Sequence, residues 1–282
     1  EKIKSLPIWK GIIDIKPLEG GITNLNYVVN DSEKKLVVRL GSDIPEHLVY
    51  RANEILVSKA AYEIGVSPNL IYNEPGVLVL DYIQSTTLEP LTVRNNLERI
   101  IPVIKKIHNS IPNKLSGQSA IFWVFYVIKY YSNFLLNNKS SHSSKIQDLL
   151  TKSDNLEKLS SPREIVFGHN DLLAANFLDD GSKIWVVDWE YGGFNDPLFD
   201  LGGLASNNDF DESLELKALE LYFNQKPNPD LLNKYNAMKT ASLLRETMWS
   251  MVSEITSKLD FDYGEYTSEN LKKFNDSYEK LL

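Results

Sequence analysis

Asp171, Asn176 and Asp188 are the residues whose types and spacing bear most directly on chemistry. They stand in Val166-Phe167-Gly168-His169-Asn170-Asp171-Leu172-Leu173-Ala174-Ala175-Asn176-Phe177-Leu178 and, after a turn at Asp179-Asp180-Gly181, in Ile184-Trp185-Val186-Val187-Asp188-Trp189-Glu190. The pattern is H-x-D-x-x-x-x-N, a strand, a turn, a strand, then D. Moving a phosphoryl group from ATP to a hydroxyl needs a carboxylate that orients the hydroxyl and accepts its proton. It also needs hard oxygen ligands for Mg²⁺ on the phosphates. Asp171 suits the first task. Asn176 and Asp188, returned to each other by the hairpin, suit the second with one neutral and one anionic oxygen. His169 reads as a hydrogen-bonding brace for the loop rather than a proton shuttle. Turn-capping Asp and Asn residues in a polar loop would show the same types. Against that reading, apolar strands flank the pattern, and Asp188 ends a buried-type strand where an unpartnered carboxylate is unfavourable.

The elements around this segment change character along the chain. Residues 11–40 carry short β-branched runs separated by polar turns, which are hairpin signals. Residues 46–64 read as a helix, with Gly65 as its C-cap and Pro68 beyond. Short strands follow near Leu70–Tyr72 and Val77–Leu80. After Tyr82 the periodicity is helical: Leu97–His108, Phe122–Leu136, a helix near Ile146–Leu150, then 213–223, 230–257 and 267–281. Residues 1–83 are therefore expected to form a strand-rich lobe and residues 84–282 a helical one, an α+β chain with a ligand crevice between its parts.

Composition narrows the classes. The 282 residues carry a formal net charge of -8, unlike the basic footprint of a nucleic-acid binder. There is no cysteine, which excludes disulfides, thiolate chemistry and cysteine zinc sites. The histidines, His47, His108, His142 and His169, include no i, i+4 pair, so a helical H-E-x-x-H zinc site is excluded. No apolar run reaches membrane-spanning length, and residues 1–10 lack a signal-peptide core. A cytoplasmic protein without stable membrane insertion is the expectation. No coiled-coil repeat sets an oligomeric state.

The 166–191 segment resembles the Brenner-type motif of the kinase-like phosphotransferases, which include choline and ethanolamine kinases and aminoglycoside phosphotransferases. The resemblance implies a protein-kinase-like fold, with a β-rich N-lobe and a helical C-lobe around ATP. Gly20-Gly21-Ile22-Thr23-Asn24 is similar to the G-G-x-[ST]-N phosphate loop of choline kinases, which would give Gly20, Gly21, Thr23 and Asn24 to the nucleotide. A plain turn would also carry Gly-Gly. Arg39, where protein kinases have Lys, would clamp phosphate with a bidentate fork, oriented by Glu54; an exposed strand-end Arg and a helix Glu is the plainer reading. Leu80-Asp81-Tyr82-Ile83 resembles the lobe-linking segment, with Asp81 and Ile83 holding adenine through their backbone.

Asp188-Trp189-Glu190-Tyr191 resembles the D-[FW]-E-Y of choline and ethanolamine kinases. Ala241–Val252 and Phe261–Tyr266 resemble the family's A-S-x-x-x-W-x-x-W-S and F-x-Y-x-x-Y stretches. Glu190, Tyr191, Glu246, Trp249 and Tyr266 then become substrate residues. A quaternary ammonium is recognised by aromatic faces, at about 0.5–2 kcal/mol per well-placed ring. Core aromatics of a helical lobe would also read this way. Glu246 stands where the first of two tryptophans is expected, and Asn207 where an acid is expected. A carboxylate at 246 would offer a counter-charge to choline, or would mark a primary amine. The resemblance implies a bacterial-type choline kinase using ATP and Mg²⁺ on a small cationic alcohol. Ethanolamine, thiamine or an aminoglycoside are the alternative substrates, and a silent nucleotide-binding scaffold the non-enzymatic alternative. Asp171→Ala is expected to abolish ADP release on an alcohol panel while calorimetric ATP binding persists; wild-type turnover in that variant would sink the assignment.

Overall fold

Alternate burial along short β-branched runs builds the N-terminal sheet. In the computed structural model, which describes residues 1–18, 24–32, 34–161 and 164–281, the first elements are β1 (Ile13–Leu18), β2 (Leu25–Asp31), β3 (Lys34–Leu40), α1 (Arg51–Glu63), β4 (Leu70–Glu74) and β5 (Val77–Asp81). The strands pair antiparallel in the order β1-β2-β3-β5-β4. On β3, Leu36 and Val38 are buried with Val29, Val77, Val79, Ile3 and Leu6. Val37 and Arg39 alternate to the other face and line a cleft with Leu80 and Leu78, their cross-strand partners. Gly20, Gly21 and Thr23 lie outside the described residues.

The sequence suggests a helix from residue 46, yet α1 begins at Arg51. Ile44 and Val49 close a bridge around a 3-10 turn at Pro45–His47, and Leu48 has a φ of 59°. Residues 44–50 are thus a tight loop. The Asp43 carboxylate accepts the Arg51 backbone N–H at 2.8 Å, a cap supplied from outside the helix.

Beyond Asp81 come β6 (Thr86–Thr87), α2 (Pro90–Asn95), α3 (Leu97–Ser110), β7 (Ala120–Ile121), α4 (Val124–Asn137) and α5 (Ile146–Leu159). Four short strands follow: β8 (Val166–Gly168), β9 (Phe177–Asp179), β10 (Ile184–Val186) and β11 (Gly193–Asn195). With β6 and β7 they form two three-stranded sheets, β10-β9-β6 and β7-β11-β8, and the loop bearing Asp171 runs from one to the other. The chain ends with α6 (Pro197–Asn207), α7 (Glu212–Phe223), α8 (Pro229–Thr256) and α9 (Tyr263–Glu279). The last helix starts four residues earlier than its apolar period suggests, because the Asp262 carboxylate accepts the Glu265 N–H at 2.8 Å. Among the described residues, no helix is long and apolar enough to cross a membrane.

Helix α8 is the axis of the helical part. Asn228 caps it and Pro229 opens it. Between Thr240 and Ser253 only Glu246 is not buried, because α4, α5, α6 and α9 surround the helix. At Gly202 of α6, a Cβ would lie 2.7 Å from the Lys239 Cα and 2.9 Å from its nitrogen, so the two backbones touch. Gly202→Ala is expected to cost about 1–3 kcal/mol by overpacking. Calorimetry should show a melting temperature lowered by roughly 2–10 °C; an unchanged value would mean that the close approach is not required.

Candidate active site

The loop bearing Asp171 is held by buried polar groups on both flanks. Asp200, on the first turn of α6 and 2% exposed, accepts the backbone N–H of His169 at 2.8 Å and of Asn170 at 2.7 Å. His108 Nε2 stands 2.9 Å from the same carboxylate, and the Tyr222 hydroxyl is 2.7 Å from His108 Nδ1. A carboxylate only accepts, so Nε2 donates. Burial opposes ionisation of Asp200, but the His108 hydrogen bond and charge hold its carboxyl below the ordinary value. Asn170, at φ 67°, donates to the carbonyls of Gly168, Tyr191 and Gly193, and its own oxygen accepts from Asn195. A Cβ at Gly168 would sit 2.8 Å from that oxygen, so glycine is needed there.

His169 is fully buried. Its Nε2 donates to the Val187 carbonyl at 3.0 Å, Nδ1 accepts the Asp171 N–H at 3.3 Å, and its ring lies 4.7 Å from that of Trp189. Burial lowers its pKa, and the ring braces the loop against the hairpin that bears Asp188. The Asn176 amide donates to the Asp171 carbonyl at 2.8 Å, and the Asn176 carbonyl accepts from Val187 N at 3.0 Å. Asn176 therefore lies beside Asp188, which has a φ of 68°. That geometry leaves the Asn176 side-chain oxygen and a second Asp188 oxygen as hard donors. Among the described residues no group of three acidic or histidine side chains forms a metal site alone. The donor set fits Mg²⁺ that shares its coordination with phosphates.

Sheet and hairpin meet through alternating charges. Arg39 Nη1 lies 2.5 Å from Glu54 Oε1 and 2.7 Å from Asp188 Oδ1. Glu54 is 1% exposed, and its second oxygen accepts from Arg51 Nη1 at 2.6 Å. Arg51 also reaches Glu190 Oε2 at 3.0 Å and Asn24 Oδ1 at 2.6 Å. Burial works against the Asp188 charge, yet Arg39 holds the carboxyl below its usual range. Burial, and next Asp188, push Glu190 up. Asn24 and Glu190 are thus engaged with Arg51, and the Asn24 amide donates to Glu190 at 3.1 Å.

One cavity of about 490 Å³ joins these parts. Asp81, Ile83, Leu80, Val37 and Leu178 line an apolar slot at one end. Asp171, Asn176 and Asp188 lie along it, and Tyr191, Glu246, Trp249 and Tyr266 close the other end. There Glu246 accepts from the Tyr266 hydroxyl at 2.8 Å and from Arg245 Nη1 at 2.9 Å. Trp249 Nε1 donates to the Tyr191 hydroxyl at 3.1 Å. Arg245, 4% exposed, lies 4.4 Å from the Tyr191 ring centroid and 5.5 Å from that of Phe122. One ring of the expected cage thus already carries a cation.

Three residues at the site carry no sequence signal strong enough to single them out. Arg51 precedes Glu54 by three positions, the spacing of an ordinary helix-surface ion pair. Arg245 is hidden beside Glu246. His47, on the loop before α1, stacks 5.1 Å from Trp249 and hydrogen-bonds Ser253 at 3.2 Å. Burial, and next Arg245, push its pKa down to about 3, so it is a neutral packing group.

Fold and site together define a kinase-like phosphotransferase. A family model described as Choline/ethanolamine kinase matches residues 15–213, and the chain belongs to that family. It is 26% identical over 280 residues to Protein LicA of Haemophilus influenzae, covering 93% of this chain and 78% of the relative. It is 27% identical over 291 residues to an Arabidopsis thaliana protein named Probable ethanolamine kinase, covering 90% and 77%. The crystal structure of a choline/ethanolamine kinase family protein from Mesorhizobium loti matches with a TM-score of 0.81 at 26% identity, covering 99% of this chain and 92% of the other. The chain is a kinase-family enzyme, and both alcohols in the family's description are small amino alcohols.

Burial, countered in part by Arg245 and reinforced by Glu246, Asp188 and Glu190, pushes the Asp171 carboxyl up to about 8. The unfolded chain releases that proton near pH 4, roughly. The folded state thus binds the proton more tightly, and ionisation opposes folding as pH rises between these values. Asp171→Asn is expected to be inactive yet to melt above wild type at pH 8 without nucleotide or divalent metal. The gap should shrink toward pH 5. A variant melting at or below wild type at pH 8 would refute the strain placed on this carboxylate.

Proposed function

We propose that the protein transfers the γ-phosphoryl group of ATP to the hydroxyl of choline. The observation that carries this reading is the single cavity, with an apolar slot at one end, Asp171 along it and a charged aromatic end opposite. Adenine lies in the slot against the 81–83 backbone. Arg39, held by Glu54, clamps the phosphates with a fork that matches their oxygens. Gly20, Gly21 and Thr23 are proposed to cover the phosphates from the turn before β2. Asn176 and Asp188 would hold Mg²⁺, which supplies charge neutralisation on the phosphate oxygens.

Asp171 orients the substrate hydroxyl in line with the γ-phosphorus. The oxygen–phosphorus bond forms as the bond to the β,γ-bridging oxygen breaks, and the hydroxyl proton passes to Asp171. ADP leaves with that bridging oxygen. Residues 1–83 serve the nucleotide and residues 84–282 the alcohol in this scheme.

The alcohol end favours a quaternary ammonium. A primary ammonium brings three N–H donors that need acceptors. Glu246 already accepts one bond at each oxygen, from Tyr266 and from Arg245, so only about two of its four acceptor sites remain for those three donors. A methylated cation needs no acceptor and gains from the Trp249 and Tyr266 rings, with Glu246 as counter-charge. ADP release measured over choline, ethanolamine, thiamine and kanamycin is expected to give choline the highest kcat/KM, at least tenfold above ethanolamine. Turnover of ethanolamine or kanamycin without choline turnover would overturn the choice.

A further inference from the structure

We infer that Arg51 is a positioning residue for the nucleotide, tying Asn24 and the Arg39–Glu54 pair to the hairpin that bears Asp188. The inference rests on the kinase reading and assigns a role to a side chain that touches none of the reacting groups.

Three nitrogens of one guanidinium hold four partners. Nε donates to the Ser42 carbonyl at 2.9 Å, Nη1 to Glu54 at 2.6 Å and to Glu190 at 3.0 Å, and Nη2 to Asn24 at 2.6 Å. These partners come from different parts of the fold. Asn24 directly follows the Gly20–Thr23 segment, Ser42 follows β3, Glu54 pairs with Arg39, and Glu190 lies two residues past Asp188. The side chain is 12% exposed, so water competes weakly for these bonds. Asn24 closes the ring by donating to the same Glu190 oxygen, which fixes both ends of its amide. A Cβ at Gly41 would collide with the Asn24 oxygen and stand 3.1 Å from Arg51 Nη2, so glycine leaves room for the contact.

The arrangement needs a fork. An ammonium at position 51 would keep the charge but would not reach Ser42, Asn24, Glu54 and Glu190 together from one nitrogen. Charge alone is therefore insufficient, and a Lys substitution separates geometry from electrostatics. Arg39 keeps its own contacts to Glu54 and Asp188 when Arg51 changes, so the phosphate clamp persists but loses its reference to Asn24 and Glu190. At the alcohol end Glu246, Trp249 and Tyr266 stand on α8 and α9, and Arg51 donates no hydrogen bond to them or to Tyr191.

The test is calorimetric Mg·ATP binding with no alcohol present, together with separate KM values for ATP and choline, on Arg51→Lys, Arg51→Gln and Asn24→Ala. Arg51→Lys and Arg51→Gln are expected to weaken ATP binding and raise its KM at least tenfold, with KM for choline within twofold of wild type. Asn24→Ala should shift ATP in the same direction by a smaller factor, and adding it to Arg51→Gln should give less than the product of the two effects. Because Asn24 is only half-buried, its variant carries the test if an Arg51 variant does not fold. Wild-type ATP affinity in Arg51→Lys, or in Asn24→Ala, would overturn the inference. Equal losses for ATP and choline would also do so, since they mark a general structural role. Failure of wild type to bind Mg·ATP would instead strike the kinase reading, whereas a wrong alcohol leaves the binding arm intact.

Discussion

Arg39 reaches from the sheet to Glu54 at 2.5 Å and to Asp188 at 2.7 Å, and on that bridge rests the relation between the strand-rich and helical parts of the site. Charges removed from water are costly unless each meets an opposite partner in good geometry. Here the order Asp188, Arg39, Glu54, Arg51, Glu190 alternates in sign at every step. Loss of one partner in such a set leaves a buried charge and typically costs about 3–5 kcal/mol. The ladder is therefore a constraint on geometry more than a reservoir of stability. Carboxylates still outnumber guanidiniums in the site, with Asp171 and Glu246 added on one side and Arg245 on the other. That surplus contributes to the raised Asp171 carboxyl and would be offset by the divalent metal and cationic alcohol of the proposed reaction.

Among the described residues, the Asp171 carboxylate takes no part in a hydrogen bond or ion pair that holds the loop. The loop is carried by its neighbours: Asp200 and His108 below, Asn170 to three carbonyls, and His169 to the hairpin. Positive φ at Asn170 and Asp188 adds strain at the two turns that bring donors together. Strain of this kind, of order 1–3 kcal/mol per residue, persists only where the surroundings over-determine the backbone. The buried network supplies that, and so a destabilised carboxylate can be presented from a rigid loop.

The strand-then-helix order and the 166–191 segment were legible because their signals are local. Period-two burial, the 3.6-residue face of Leu97, Ile100, Ile101, Ile104 and Ile107, and H-x-D-x-x-x-x-N all lie within short windows. Arg51 was not legible, since its partners Asn24 and Glu190 are 27 and 139 positions away. The start of α1 was misjudged because a β-bridge and a left-handed Leu48 override helix period. His47 sits in that same loop, so its contact with Trp249 could not be inferred without the loop's path. Arg245 was missed for another reason: a charged residue on a helix reads as solvent-facing, and its burial follows only from α8 being surrounded on all sides.

Arg245 also explains Glu246. A carboxylate in place of a cage tryptophan would be an unpartnered charge facing rings, a costly arrangement. The preceding residue solves this by folding its guanidinium onto the Tyr191 ring and donating Nη1 to Glu246, while Tyr266 donates from the other side. The two adjacent residues are thus one device. Tyr191 is given over to an internal cation, Glu246 is held between Arg245 and Tyr266, and Trp249 and Tyr266 remain as rings lining the cavity. In the proposed scheme, cation recognition at this end would rest on one carboxylate and two rings rather than on three aromatic faces, with Arg245 occupying the third.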